Sequence, residues 1–503
     1  MKKFFAVTAA IGVAAAALIG APAAHAAGTT LTYGVVTDIK DWQASSGQFA
    51  HFAPYYQAVY STLLKAKADG SLAPGLALTY TYDAAKTTLT LKLRQGVKFT
   101  DGEAFDAAAV VKNLLAFGKG ASPNASQARS IASVTAKDAS TVVIKLSAVD
   151  PSLTMYLSNT LGEMQAPNTI GTADAKSTPV GTGPYILDKS NSVSGSSYAF
   201  TANPNYWDKA NRKFDNLVIK YLPTAAAAVN ALKAGQVDCV ALMDASTVAS
   251  TKAAGYNVQK QQLNWVGLTL NDKSGKAGSP FKNVLVRQAI NYGFDRDAAL
   301  KIMGSGYGVV TNQVFASYNK GFVKALDDTY PYDLAKAKSL LAQAGYPNGF
   351  TLSMPQNTAL PPVVFQFLKD SLAQMGITVN YTALPSSDYI AAVQANKFVA
   401  YRMGLERNPS DWTLLNFLIT KDAPWNPAGF SDQISASMID TIRRTSGDTQ
   451  VKAYQALNTY ITKQAWFVPL YAQDVYFAAG SKVNVNLHSG NAIPFLGDIT
   501  PAN

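Results

Sequence analysis

The sequence predicts a mixed α/β chain assembled from repeated strand-and-helix units. Three observations carry that expectation: period-two runs typical of half-buried strands, helical-period runs opened by a capping residue and closed by glycine, and a composition able to bury a large core. In 503 residues, 48% are hydrophobic and only 15% charged, and a chain of this length divides into roughly two to four domains.

The elements follow in chain order. Leu89, Leu91 and Leu93 alternate with Thr88, Thr90, Lys92 and Arg94, which predicts a strand with one buried face. Gln95-Gly96 and Asp101-Gly102 supply turn residues, and Val97 and Phe99 between them read as a short second strand. Asp106 then caps a helix whose apolar residues Val110, Val111, Leu114 and Leu115 recur at helical spacing. Thr224 to Ala234 reads as a helix stopped by Gly235 and followed by a strand at Val237. Asp333 caps a helix carrying Leu334, Ala337, Leu340, Leu341 and Ala344, with Gly345 as its stop. Val363 to Met375 forms another helix, ended by Gly376 before a strand at Ile377, Val379 and Tyr381. A long C-terminal helix from about Thr449 to Ala465 leads into Phe467-Val468-Pro469-Leu470-Tyr471.

Composition also excludes. One cysteine rules out an intrachain disulfide and a four-ligand thiolate zinc site; Cys239, in Val237-Asp238-Cys239-Val240-Ala241, reads as a buried strand thiol sharing a face with Val237 and Ala241. The formal charge is +11, yet Lys and Arg are scattered singly, with only Lys2-Lys3 and Arg443-Arg444 adjacent. A nucleic-acid binder gathers such residues into a basic stripe, so nucleic acid is not expected as a partner.

The N-terminus reads as a secretory signal peptide. Lys2-Lys3 precede an uncharged apolar run from Phe4 to Gly20, and Ala24 and Ala26 flank His25, which places cleavage before Ala27. The run is short for a membrane span, and no cysteine at the cleavage site offers a lipid anchor. The mature chain, with Lys2 and Lys3 removed and a charge of +9, is expected to be exported, most simply to a bacterial periplasm.

An ordered set of motifs then carries a family resemblance. Tyr60-Ser61-Thr62-Leu63-Leu64, Asp69 through Ala77, and Leu93-Arg94-Gln95-Gly96-Val97-Lys98-Phe99-Thr100-Asp101-Gly102 come first. Pro179 through Tyr185, Asn203-Pro204-Asn205-Tyr206-Trp207, Val286 through Tyr292 with Asp295-Arg296, Ala344 through Phe350, and Val468-Pro469-Leu470-Tyr471 follow. In this order the chain resembles the periplasmic solute-binding proteins of ABC transporters, family 5, which includes dipeptide, oligopeptide and nickel binders. The glycines read as turn residues and the prolines as fixers of φ, while Arg94 and Arg287 read as buried ion-pair partners or carbonyl caps.

The resemblance implies two α/β lobes joined by crossover strands and closing over a ligand like a hinged trap, with an extra α/β domain inserted in the first lobe. The implied first lobe comprises residues 27–60, 179–264 and 475–503, the inserted domain 61–178 and the second lobe 265–474, with 1–26 removed as signal peptide. The implied ligand contacts are Trp42 in the first strand region, Trp265 at the start of the second lobe, and a loop holding Arg402, Glu406, Arg407, Asp411 and Trp412. Peptide-binding relatives hold the ligand's amine with an aspartate near this loop, and both Asp411 and Glu406 match that role. The usual second Asp-Pro pair is replaced by Asn408-Pro409-Ser410-Asp411, a departure from the peptide-binding pattern.

The expected function is capture of a small polar solute, a short peptide first, and delivery to an inner-membrane ABC permease by a monomeric protein with no cofactor. An opine, a sugar or sugar conjugate, or a metal chelate is the alternative ligand. His51 and His488 are too far apart in sequence to suggest a metal site. Gly304-Ser305-Gly306-Tyr307-Gly308 lacks the strand-to-helix context of a phosphate loop and reads as a turn. A secreted hydrolase is the competing class; the chain has no Gly-x-Ser-x-Gly elbow and no His-Glu-x-x-His, although Glu406 and Asp411 form a carboxylate pair of the kind a glycosidase uses. A chemoreceptor partner or chaperone on the same scaffold is the third reading.

Overall fold

The computed structural model describes residues 29–47, 52–120, 122, 124–404, 410–489, 491 and 493–502. Its backbone is organised by two long strands, Asn257–Leu270 and Phe467–Ala479, which pair antiparallel along nearly their whole length. Near one end of this ribbon Phe467–Ala479 takes Cys239–Leu242 as a neighbour, and the sheet continues through Thr30–Val35, Asn216–Tyr221, Ser197–Ala202 and Tyr185–Val193. Towards the other end Asn257–Leu270 pairs with Ala400–Gly404, and Gly308–Val310 joins Phe467–Ala479. The central strand Thr30–Val35 runs parallel to both its neighbours.

Two bodies of core lie along this ribbon. The first surrounds Tyr33, Trp42, Tyr55, Tyr198 and Phe200. The second has two parts, one around Leu268, Phe281, Ile290, Phe294 and Leu368 and one around Trp265, Phe315, Trp412, Leu457 and Trp466. The long strands run unbroken through positions 264/265 and 474/475, where the sequence divides the lobes, and their register shifts between Gln262 and Trp265. A shift of this kind kinks and twists a strand pair, so the ribbon bends where it leaves one core for the other.

A separate four-stranded antiparallel sheet has the order Ala77–Tyr82, Thr88–Leu93, Thr141–Leu146, Ile131–Asp138. Leu89, Leu91 and Leu93 are buried as their alternation requires, and helix Ala107–Lys119 packs Val110, Leu114 and Phe117 into the same core. Asp106 caps that helix, accepting from the Ala109 N–H at 2.9 Å. Val97 and Phe99 are buried but form no strand; only an isolated bridge from Lys98 to Ala104 closes that turn, because Gly96 and Gly102 both take positive φ and leave too few residues to extend a ladder.

The expected cap Asp333 accepts from the Lys336 N–H at the start of Leu334–Gln343, and Thr224, expected as the first residue of its helix, instead caps Ala225–Lys233 through the Ala227 N–H. Gly235, Gly345 and Gly376 have positive φ at the ends of their helices. Cys239 is buried, but its face-mate is Ala241 alone; Val237 packs with Val240 in a second layer, so both faces of this strand are covered. In Gly181-Thr182-Gly183 a Cβ on either glycine would meet the Val59 backbone at 2.2–2.3 Å, so the close approach of two chain segments explains the motif.

Candidate functional site

The candidates divide by what their side chains touch. Trp42 sits in the first core, with ring centroids of Tyr55, Tyr198 and Phe200 at 5.6, 5.7 and 6.0 Å. Its backbone is also committed: the N–H donates to the Lys176 carbonyl, and its own carbonyl accepts the Tyr60 hydroxyl at 2.6 Å. Trp42 is thus packed on several sides by its own lobe rather than standing on an open wall. Asp41 beside it accepts from the Gln43 N–H and the Ser46 hydroxyl, fixing the short turn at Ala44–Ser46.

Trp265 stands at the bend of the long strands, and with Gln262 it lines a cavity of about 250 Å³. Phe315, Phe322, Val314 and Ala472 give the cavity apolar walls, while Thr311, Gln313, Lys324 and Asp327 supply polar atoms. The Trp265 side chain is 1% exposed and its indole N–H has no hydrogen-bond partner among the described residues. Buried donors are almost always paired, so an orphaned N–H beside a cavity is a place for an acceptor from outside the chain. The rest of the wall is internally satisfied: Asp327 accepts from the Thr311 hydroxyl at 2.7 Å and the Gln313 amide at 2.9 Å, and Gln262 accepts from the Ser317 hydroxyl at 2.6 Å. Sequence reasoning missed Gln262, Gln313 and Phe315, which lie in irregular backbone or at a bend and carry no spacing signal. A larger, open hollow of about 450 Å³ lies against the strand Thr378–Leu384 and contains no candidate residue.

The expected binding loop is only partly placed. Glu406 and Arg407 lie outside the described residues. Asp411 opens the turn Asp411–Leu414 and is 7% exposed. Its carboxylate accepts from the Gly321 N–H at 2.7 Å and the Lys320 N–H at 3.2 Å. Burial pushes its pKa up, and these two N–H groups oppose that shift. Asp411 thus ties its turn to the Lys320-Gly321 loop. Arg402, on Ala400–Gly404, lies along Gly404 at the edge of the sheet. Trp412 is buried, with the Arg443 guanidinium 5.3 Å from its ring and Asp150 of the four-stranded-sheet unit alongside.

Among the described residues no group of three His, Cys, Asp or Glu side chains could hold a metal. His488 bonds Asp498 at 2.7 Å and packs edge-on against Phe495, a structural tie for the C-terminal segment. Arg287 caps the carbonyls of Phe281, Lys282 and Gln464, as expected, whereas Arg94 stacks over Trp207 and caps Gly75. The glycine-rich stretch at 304–308 is the turn into Gly308–Val310.

Two cores on a shared, bent strand ribbon, with a cavity at the bend, define a two-lobe binding protein. Residues 71–424 match bacterial extracellular solute-binding proteins, family 5 Middle, and the chain belongs to that family. It is 27% identical over 473 residues to the glutathione-binding protein GsiB of Salmonella typhi, covering 88% of this chain and 86% of that one. The periplasmic binding protein AgaA in complex with agropinic acid, from A. tumefaciens R10, has the same fold, with a TM-score of 0.80 at 23% identity over 94% of this chain and 99% of that one. So does DppA from Helicobacter pylori in complex with peptide STSA, with a TM-score of 0.79 at 21% identity over 94% and 98% of the two chains. The fold is the two-lobe periplasmic-binding-protein fold, and the role is that of the solute-binding component of an ABC importer.

Proposed function

We propose that the solute is a short peptide or a peptide-like conjugate, held between the lobes and passed to an inner-membrane ABC permease. The observation that carries this reading is the cavity at the strand bend, where the buried Trp265 N–H has no acceptor among the described residues and Phe315 and Phe322 offer apolar contact. A peptide carbonyl or a carboxylate supplies that acceptor. The names of the similar proteins point the same way, to glutathione, a peptide and agropinic acid. Glu406 remains for a ligand amine, since the Asp411 carboxylate is already bonded to the 320–321 loop.

Residues 27–60, 179–264 and 475–503 serve as the first lobe, 61–178 as an inserted domain and 265–474 as the second lobe, a division supported by the separate cores. Export through a cleaved signal peptide completes the proposal, and the protein binds without turnover. No described helix is long and apolar enough to cross a membrane.

The test is native mass spectrometry of the purified protein, then thermal shift with peptides, opines, sugars and nickel chelates. A ligand at about a hundred times its Kd stabilises by about 2.7 kcal/mol. Stabilisation by peptides, reduced about tenfold in affinity by Trp265→Phe, is the expected result; selective stabilisation by a sugar or chelate overturns the ligand assignment, and product release from any bound peptide overturns the binding role.

A further inference from the structure

The four-stranded-sheet unit reaches across to the second lobe and touches it beside the candidate binding loop. The Ser152 hydroxyl lies 3.0 Å from that of Ser410 and 3.4 Å from that of Thr413. Ser410 and Thr413 are themselves 2.9 Å apart, so three hydroxyls close into one cluster. Behind it, Asp150 accepts from the Ser130 hydroxyl and the Ser152 N–H, at 2.8 and 2.9 Å, and faces Trp412 and Arg443 of the opposite side. A further tie runs from the Arg129 guanidinium to the Asp422 carbonyl at 3.1 Å.

This contact is buried. Ser152 is 1% and Trp412 3% exposed, and Asp150 fixes the loop that presents Ser152. The cavity at the strand bend, about 250 Å³, is at the small end for a ligand site. An extended peptide of six residues spans about 20 Å and needs an open exit from the cleft.

We infer that the Asp150–Ser152 loop and the Ser410–Thr413 turn form a gate that closes one side of the cleft without help from ligand and restricts the solute to compact molecules, of about two to three peptide residues. The inference rests on the reading of the cleft as the ligand site. It gives the extra sheet unit a job in specificity: its loop, rather than the second lobe alone, sets the length of the solute.

Two measurements test it. The first uses Ser152→Cys with Ser410→Cys in the mature protein without added ligand; Cys239 is buried and does not compete. Under mild oxidation this pair is expected to cross-link, while each single variant does not. Failure of the folded double variant to cross-link overturns the gate. The second exposes the protein to an equimolar library of peptides of two to eight residues and reads the captured masses by native mass spectrometry. Wild type is expected to capture di- and tripeptides, and Asp150→Ala with Ser152→Gly to extend the captured range to longer ones. Capture of six- to eight-residue peptides by wild type overturns the length limit. If wild type captures no peptide of any length, the peptide reading fails, and the cross-link alone then decides the gate: its formation supports it and its absence overturns it.

Discussion

The two lobes solve the same packing problem with different materials. In the first, strand Thr30–Val35 and helix Ala53–Val59 bury an aromatic cluster in which Trp42, Tyr55 and Tyr198 meet edge to face. In the second, buried basic side chains are spent on backbone carbonyls. The Arg296 guanidinium donates to the carbonyls of Thr311, Pro469, Asn291 and Tyr330. Lys273, wholly buried, donates to the Leu270 carbonyl at 2.8 Å and lies 5.5 Å from each of the rings of Phe430, Trp466 and Phe467. Aromatic packing is strong but tolerant of small displacement, whereas a guanidinium fixed by four carbonyls holds irregular segments in one arrangement. The second lobe is the one pinned by directional bonds.

Three substitutions sharpen that contrast. The largest effect is expected for Trp42→Ala, which empties the centre of the aromatic cluster and costs about 3 to 5 kcal/mol in denaturant unfolding; a loss under about 1 kcal/mol would show that the cluster collapses around the gap. Next is Arg296→Lys, which keeps the charge but cannot reach four carbonyls and costs about 2 to 3 kcal/mol. Its signature is local: hydrogen exchange should rise at 311–313 and 330 and stay unchanged in the first lobe. Uniform loss of protection would instead mean that the two lobes unfold as one.

The third concerns pH. Burial, with the Arg287 charge adding to it, lowers the Lys273 pKa to about 7 from 10.5. Between those values the unfolded chain carries a proton that the folded chain lacks, so stability rises with pH there, by at most about 1.4 kcal/mol per unit from this group. Wild type should therefore gain stability relative to Lys273→Met on going from pH 7 to pH 9, as followed by Tm of both proteins. Parallel curves would mean that Lys273 stays charged when folded.

Local grammar made much of the fold legible. Asp106 and Asp333 each announced a helix that exists with the expected cap, and Leu89, Leu91 and Leu93 a strand with the expected face. The helix Gln433–Arg444 went unseen, although Asp432 and Ser435 form its capping box, because its buried positions Ser435, Ile439 and Ile442 give a thin apolar stripe. Of the candidate site, Trp265 was expected from its position at the start of the second lobe, and it lines the cavity at the bend. The role of Asp411 was not: its partners, Lys320 and Gly321, lie about ninety residues earlier, and no local pattern couples them.

By itself the sequence determined the class of the protein, since caps, strand alternation and ordered motifs are local properties written within a few residues. Only the tertiary structure decided which tryptophan is enclosed in its own lobe and which lines a cavity, and that Ser152 meets Ser410 across 258 positions. Those facts depend on how two cores are set along one bent ribbon, and burial and hydrogen-bond partnership belong to that arrangement rather than to any residue type.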